Sequence, residues 1–387
     1  MTCPELSSGK VFMMKKATWF ASRALVILLL SGCSGGSSAA NTGGSGDGSS
    51  LTAAVQPTIT TTAAQGGAVI VSIADSTSGA SIHYTLDGSS PTATSPIYQA
   101  PFLVTSTTTV KAMAVASGYT NSNVASQSFS ISIASGTLVW SDEFSNSTPA
   151  NAQPNPAVWT YDTGGGGWGN GELEDYCGWN SGASPCDSSN PNAFVGTDGY
   201  LHIVARSPSA GVYTSARMKT QGMFSLLYGR VEARIKMPEG QGLWPAFWTL
   251  GNNIATDGWP ACGEQDIMEH INQPTPDWVA GSVLAPSLNL GTNYTATASN
   301  GFSASDWHTY GMIWTKGSVE YYVDSPSNVY ATYTPSSQAG GTWPFDSGNA
   351  NFLILNLAVG GNWPGSPNNT TPFPAEMLVD YVRVYTN

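Results

Sequence analysis

The chain has 387 residues, only 10% of them charged, and a net charge of −12 at pH 7. That balance argues against nucleic acid or an anionic membrane surface as partner and disfavours a polyanionic substrate. Few charges and 11% aromatic residues are the composition of a secreted β-rich protein with room for two or three domains, and a neutral polysaccharide, held by aromatic faces and neutral polar groups, suits it better.

At the start, Lys15, Lys16 and Arg23 precede the apolar run ALVILLLSGC (Ala24–Cys33). This is the charged and apolar pair of regions of an export signal, too short to span a bilayer as a mature helix. Leu30-Ser31-Gly32-Cys33 resembles a bacterial lipobox, whose cleavage leaves Cys33 as the lipidated first residue. A plain secretory signal with an incidental cysteine is the alternative. Residues 1–12 are unlike a signal's first region, so Met13 or Met14 is a candidate start. Residues 1–33 are read as a lipoprotein signal peptide, and 34–56, rich in Gly, Ser, Ala and Thr, as a flexible tether. The expected location is the bacterial cell envelope, with a lipid anchor in the outer membrane or at the cell surface, or secretion.

From 57 to 133 short alternating runs appear, AVIVSI, SIHYTL and TTVKAMAV, separated by turn signals such as LDGSSPT (Leu86–Thr92). They predict a small Ig-like β-sandwich. The stretches IHYTLDGSSPT and SPIYQAPFLVTSTTTVKAMAVASGYTNS resemble the chitobiase C-terminal-like module that is appended to carbohydrate enzymes. The resemblance implies either a sugar-binding unit or a spacer. Tyr84, Tyr98 and Phe102 fall where such a domain needs core, which favours the spacer.

Cys177 and Cys186 flank the loop CGWNSGASPC. In an oxidising compartment they are expected to form a disulfide, leaving Cys262 as a buried free thiol. Their spacing matches no zinc pattern.

The region 137–387 holds twelve of the thirteen tryptophans. Its runs GRVEARIKM, HTYGMIWT, VEYYVD and LVDYVRVY alternate, with Gly and Pro between them and no helical period. The chain is therefore expected to be all-β, its larger part a large antiparallel sandwich, a jelly roll. Within it, GEQDIMEH (Gly263–His270) crowds three acids together. On a strand Glu264 and Asp266 share a face, while Glu269 falls on the other. One extra residue, a β-bulge with Met268 the natural candidate, would return Glu269 to the first face. The outer two Cα atoms would then lie ~13 Å apart, close enough for leaning side chains to approach the ~5–5.5 Å carboxyl spacing of retaining glycosidases. Three carboxylates so close cannot all ionise cheaply, so at least one pKa is expected to rise, as a general acid requires. An exposed acidic edge strand is the bland alternative, opposed by the aromatic flanks WPAFWTLG and GWPACG.

The pattern Glu-x-Asp-x-x-Glu resembles the active-site strand of glycoside hydrolase family 16, in its laminarinase-like endo-β-1,3-glucanases. The likeness extends through VWSDEFS, WTYDTGGGGWGNGELEDY, YTSARMKTQGMFSLLYGRVEARIKMPEGQGLWPAFWTLG, WPFD, FLILNLAVGGNWPG and PFPAEMLVDYVRVY. It implies a concanavalin-like β-jelly-roll sandwich and, by position, Glu264 as nucleophile, Glu269 as acid/base and Asp266 as the assisting carboxylate. Trp244, Trp248 and Trp259 match cleft aromatics, and Asn170 and Arg217 match groups that hold sugar hydroxyls on the non-reducing side. Trp244 as core and an Arg217–Glu232 pair are the alternatives. The resemblance also implies a structural Ca²⁺ held by the Asp380 side chain and the carbonyls of Glu143 and Gly199, against a plain pairing of Asp380 with Arg383 or a backbone amide. No cofactor is implied for catalysis.

Two positions depart from the family. Gln265 stands where Ile is usual and should point toward the other sheet. Leu284 stands where a His is frequent, removing a potential partner near the cleaved bond. The expectation is a monomeric retaining endo-β-1,3-glucanase acting on β-glucan. A mixed-linkage β-1,3-1,4-glucanase and a non-catalytic glucan-binding surface lipoprotein are the alternatives.

Overall fold

The computed structural model describes residues 51–387 except 147, 273–276 and 298–299. Cys33, the signal region and most of the tether therefore lie outside the described residues.

Two three-stranded antiparallel sheets form the small N-terminal sandwich. One joins Thr58–Ala63, Val69–Ala74 and Phe102–Val104, the other Ser81–Thr85, Thr108–Val115 and Ala125–Phe129. Val71, Ile73, Tyr84, Phe102, Val104, Val110 and Ala112 fill the space between them. Tyr84 stacks on Phe102 at 5.3 Å, and Tyr98 meets both rings edge-on. The three aromatics singled out in the sequence are thus spent on this core.

The larger domain is a two-sheet sandwich. The outer sheet has ten strands, with Gly229–Lys236 and Ala375–Tyr385 paired at its centre. The inner sheet has seven: β1 (Thr160–Asp162), β2 (Arg217–Lys219), β3 (Leu243–Gly251), β4 (Glu264–Glu269), β5 (Trp278–Ala285), β6 (Leu288–Thr295) and β7 (Asn351–Val359). Their spatial order is β6-β5-β4-β3-β7-β2-β1.

Alternation divides the inner sheet into two functions. On β3, Leu243 and Phe247 enter the main core between the sheets, whereas Trp244, Ala246, Trp248 and Leu250 face a cleft. On β7, Leu353, Leu355, Leu357 and Val359 enter the core, whereas Phe352, Ile354, Asn356 and Ala358 face the cleft. Burying each large aliphatic contributes ~1.5–3 kcal/mol, and a one-residue slip would turn every one of them outward. The core face therefore sets the register that presents the cleft face.

Candidate active site

A bulge places the acid triplet. Across β3, Asp266 pairs with Trp248, Met268 with Phe247 and Glu269 with Ala246, so Ile267 has no counterpart. Across β5, Asp266 pairs with Ser282 and Glu269 with Ala280, so Gly281 faces two residues. The extra residue is therefore Ile267, not Met268 as the sequence suggested. Ile267 and Met268 both enter the core, and their combined apolar burial holds the bulge in place. Gly281 fits this point because a Cβ there would lie 2.7 Å from Cδ2 of Tyr321. Beyond the bulge Glu269 returns to the face of Glu264 and Asp266, and all three line a cleft of about 580 Å³.

Three rows of side chains cross the sheet from these acids. Glu269 leads through Ala246 and Asn356 to Arg217 and Asp162. Asp266 leads through Trp248 and Ile354 to Lys219. Glu264 leads through Leu250 to Phe352. The acids are 4%, 2% and 6% exposed for Glu264, Asp266 and Glu269, so their partners matter. Trp259 Nε1 donates to Glu264 Oε2 at 2.6 Å, and Trp244 Nε1 donates to Glu269 Oε1 at 3.1 Å. Ser282 donates to Asp266 Oδ2. These donors fix the orientation of the three carboxyl groups.

The three predicted tryptophans all line the cleft. Trp244 also packs with Trp278, Ala280 and Ala358 and meets Trp363 edge-on at 5.3 Å, so the core alternative holds for its ring while its N–H serves Glu269. Trp248 donates to Asn356 Oδ1 at 2.7 Å, Asn356 Nδ2 to the Tyr176 hydroxyl at 3.2 Å, and Tyr176 to Glu172 Oε2 at 3.0 Å. Asn170 Nδ2 donates to the other Glu172 oxygen at 2.9 Å. This chain ties Asn170 and Trp248 to one buried carboxylate. Nearby, burial and then the charge of Glu172 push the Glu174 carboxyl well above its usual range.

Arg217 lies 4.6 Å from the Trp248 ring centre and 5.4 Å from that of Trp168. Its ionic partner is Asp162, at 3.1 Å, and not Glu232, which pairs with Arg230. Lys219 Nζ binds Asp162 and, at 2.7 Å, Gln221 Oε1. Trp168, Asp162, Lys219 and Gln221 line the cleft and were not singled out in the sequence. Lys219 is two residues from Arg217, so strand alternation alone was a usable signal for it. Trp168 sits in the glycine-rich loop at φ 47°, where no strand period applies.

The two departures resolve simply. Gln265 points away from the cleft and accepts from Thr249 Oγ1 at 3.0 Å and Asn351 Nδ2 at 3.1 Å. Leu284 stands directly across from Glu264 and is buried. Cys177 and Cys186 are joined in a disulfide, and Cys262 is a buried free thiol. Burial, followed by the Glu264 charge, pushes that thiol up to about 12, so it stays protonated and inert.

The residues that the resemblance assigns to a metal belong to segments that flank a junction in the pairing of the outer sheet. One edge of Ala375–Tyr385 is paired by Leu201–Ser209 as far as Leu201↔Val379 and by Leu138–Asp142 from Asp142↔Val382. In the chain Gly199 precedes the first of these partner strands and Glu143 follows the second, while Asp380 falls between the two paired stretches. Asp380 Oδ2 accepts from Arg234 Nη1 at 2.7 Å, and Arg383 grips the Glu143 carboxylate at 2.8 and 2.9 Å. The ionic partner of Asp380 is thus Arg234, not Arg383. Among the described residues no three His, Cys, Asp or Glu side chains gather for a metal. One carboxylate and two carbonyls still suit a hard, oxygen-seeking cation, with Arg234 competing for the carboxylate.

Comparison with known proteins follows the same division. Residues 183–383 match the model for glycosyl hydrolases family 16, and residues 60–126 that for the chitobiase/beta-hexosaminidase C-terminal domain. A beta-glucanase of Rhodothermus marinus is 40% identical over 260 residues, covering 64% of this chain and 84% of that protein. Glucan endo-1,3-beta-glucosidase A1 of Niallia circulans is 33% identical over 287 residues, covering 65% of this chain and 38% of that protein. The laminarinase catalytic domain of Thermotoga maritima superposes with a TM-score of 0.56 at 39% identity, over 66% of this chain and 99% of that one.

Proposed function

Because the chain belongs to glycosyl hydrolases family 16 and is an endo-β-glucanase, we propose that it cleaves β-1,3 linkages with retention of configuration. The observation that carries this reading is the bulge at Ile267, which turns Glu264, Asp266 and Glu269 to one face of one cleft. Four residue steps separate Ala246 and Leu250, the counterparts of the two glutamates, so the outer Cα atoms stand ~13 Å apart. Glutamate side chains leaning inward from that separation suit direct attack better than a gap wide enough for an intervening water.

A Glu264 carboxylate oxygen bonds to the anomeric carbon as the bond from that carbon to the glycosidic oxygen breaks. Glu269, protonated, gives its proton to that departing oxygen. Glu269 then takes a proton from water as the water oxygen attacks the same carbon and expels Glu264. Asp266, fixed by Ser282, holds negative charge beside the positive character that develops at the anomeric carbon. The glucan lies across the strands. From Asp266 to Lys219 is three strand spacings, ~14 Å in all, enough for several sugar units over Trp248.

Release of reducing ends from laminarin by the full chain tests the reading. Binding of laminarin without release would favour the non-catalytic alternative, for which buried Leu284 opposite Glu264 is the one supporting feature. Faster release from mixed-linkage β-1,3-1,4-glucan would move the linkage assignment. For the stereochemistry, proton NMR of the first products is expected to show the β anomer before mutarotation. An initial α anomer would mean an inverting enzyme with carboxylates further apart.

Ca²⁺ is proposed to be held by the Asp380 carboxylate and the Glu143 and Gly199 carbonyls, where it would tie the last strand to the start of the domain and take no part in catalysis. A ligand that binds only the folded state stabilises it. Chelation with EDTA is expected to lower the melting temperature while hydrolysis at room temperature stays nearly intact. An unchanged melting temperature, with no calcium found by elemental analysis, removes the metal from the account and leaves Arg234 as the functional partner of Asp380.

A further inference from the structure

We propose that the small N-terminal sandwich is a fixed support for the far end of the cleft, acting through Ser225, and not a separately moving glucan-binding unit. The two domains share cores. Ala68 and Leu103 of the small sandwich are buried in the main core of the large domain, and Ala350 of the large domain is buried in the core of the small one. Backbone bonds cross the boundary in both directions: Leu103 N–H to the Ser225 carbonyl at 3.1 Å and Ser225 N–H to the Pro101 carbonyl at 2.9 Å. The Ser225 hydroxyl adds a bond to Pro101 O at 3.0 Å, Tyr84 donates to Gly348 O at 3.3 Å, and Gln65 donates to Ser141 Oγ at 3.2 Å. Independent motion would break these bonds and expose the shared apolar surface together.

The small sandwich also lacks a broad sugar platform among its described residues. Tyr84 and Phe102 are buried, Tyr98 and Phe129 pack against the same core, and Tyr119, 39% exposed, is its exposed aromatic. Sugar binding by stacking needs an open ring face, and four of these five rings are turned to packing.

Ser225 connects the contact to the cleft. It ends a tight turn that begins at Thr220, next to Lys219. Phe224 N–H bonds the Thr220 carbonyl at 2.9 Å, and Thr220 Oγ1 donates to the Phe224 carbonyl at 2.8 Å. The next residue, Leu226, bridges to Asn351 at the start of β7. The turn is thus clamped between β7 and the small sandwich, and it carries Gln221, which lines the cleft together with Lys219, three strand spacings from the acids. Fixing the turn fixes those two side chains where the distant sugar units of a long substrate would lie, a consequence that rests on the function proposed above.

The test uses the full chain. Calorimetry is expected to show both domains unfolding in one transition, lowered as a whole by Leu103→Ala; two separated transitions would overturn the proposal. Rates are then compared on β-1,3-linked gluco-oligosaccharides long enough to reach Lys219 and on shorter ones. Leu103→Ala is expected to lower kcat/KM several-fold more on the long substrates, mainly through KM. An equal loss at all lengths would show a merely structural contact and overturn the positioning role. Leu103→Val, a smaller loss at the same shared core, decides the same question if Leu103→Ala does not fold. Tyr119→Ala, in a chain also carrying Glu264→Ala, is expected to bind insoluble β-1,3-glucan as well as Glu264→Ala alone; lost binding would restore the small sandwich as a binding unit and overturn the proposal. If the unaltered chain hydrolyses no glucan, the proposed function fails, while calorimetry still decides the docking.

Discussion

Replacement of Glu264 or Glu269 by alanine is expected to lower kcat on β-1,3-glucan by ~10⁴-fold or more, the scale seen when one member of a covalent catalytic group is removed. Both residues are more than nine-tenths buried in the cleft and each accepts an indole N–H, so neither loss is readily replaced by bulk water. The two variants separate by chemical rescue. In Glu269→Ala, the proposed nucleophile Glu264 is expected still to form the glycosyl-enzyme from an activated aryl glycoside, and azide to attack it from the opposite side and give the β-glycosyl azide. In Glu264→Ala, azide is expected to take the place of the proposed nucleophile and give the α product. An α-azide from Glu269→Ala would mean that the two roles are exchanged. Full polymer activity in either variant would remove that residue from the chemistry.

Trp259→Phe is the second large effect. It keeps an aromatic face and removes the N–H that lies 2.6 Å from Glu264 Oε2. A hydrogen bond to a charged group is worth ~1.5–3 kcal/mol, which converts to a ~10- to 150-fold loss in kcat/KM. The loss should fall on kcat, because the bond orients Glu264, the proposed nucleophile. Trp259 is on the half-exposed loop before β4, so the melting temperature should change little. A loss below ~3-fold confined to KM would show that Trp259 serves only as a stacking surface, since phenylalanine keeps most of that function.

The triplet was legible because it is local. Glu264, Asp266 and Glu269 fall within six positions, and a period of two leaves a phase error that only an inserted residue corrects. The identity of that residue was not legible. Ile267 and Met268 are both apolar and both satisfied by the core. Which one lacks a counterpart depends on the partner strands, on Phe247 facing Met268 and Gly281 facing both. Arg217 shows the same limit. Its place in the cleft followed from the motif, but its partner Asp162 comes from a strand 55 positions earlier, brought alongside only by pairing of β1 with β2. Asp380 likewise finds Arg234 across the central strand pair, 146 positions away.

By itself the sequence determined that the chain is all-β in two sandwiches, that Glu264, Asp266 and Glu269 form the acid group, and that tryptophans surround it. These follow from periodicity, turn residues and spacing, all of which act over a few neighbouring positions. Only the tertiary structure decided which residue bulges, which cations meet which acids, that Lys219 lies in the row leading from Asp266, and that the small sandwich is docked on Ser225 instead of swinging on a linker. Those are matters of register and of contact between distant segments. Burial of shared apolar surface selects one arrangement among many that the same local pattern would allow.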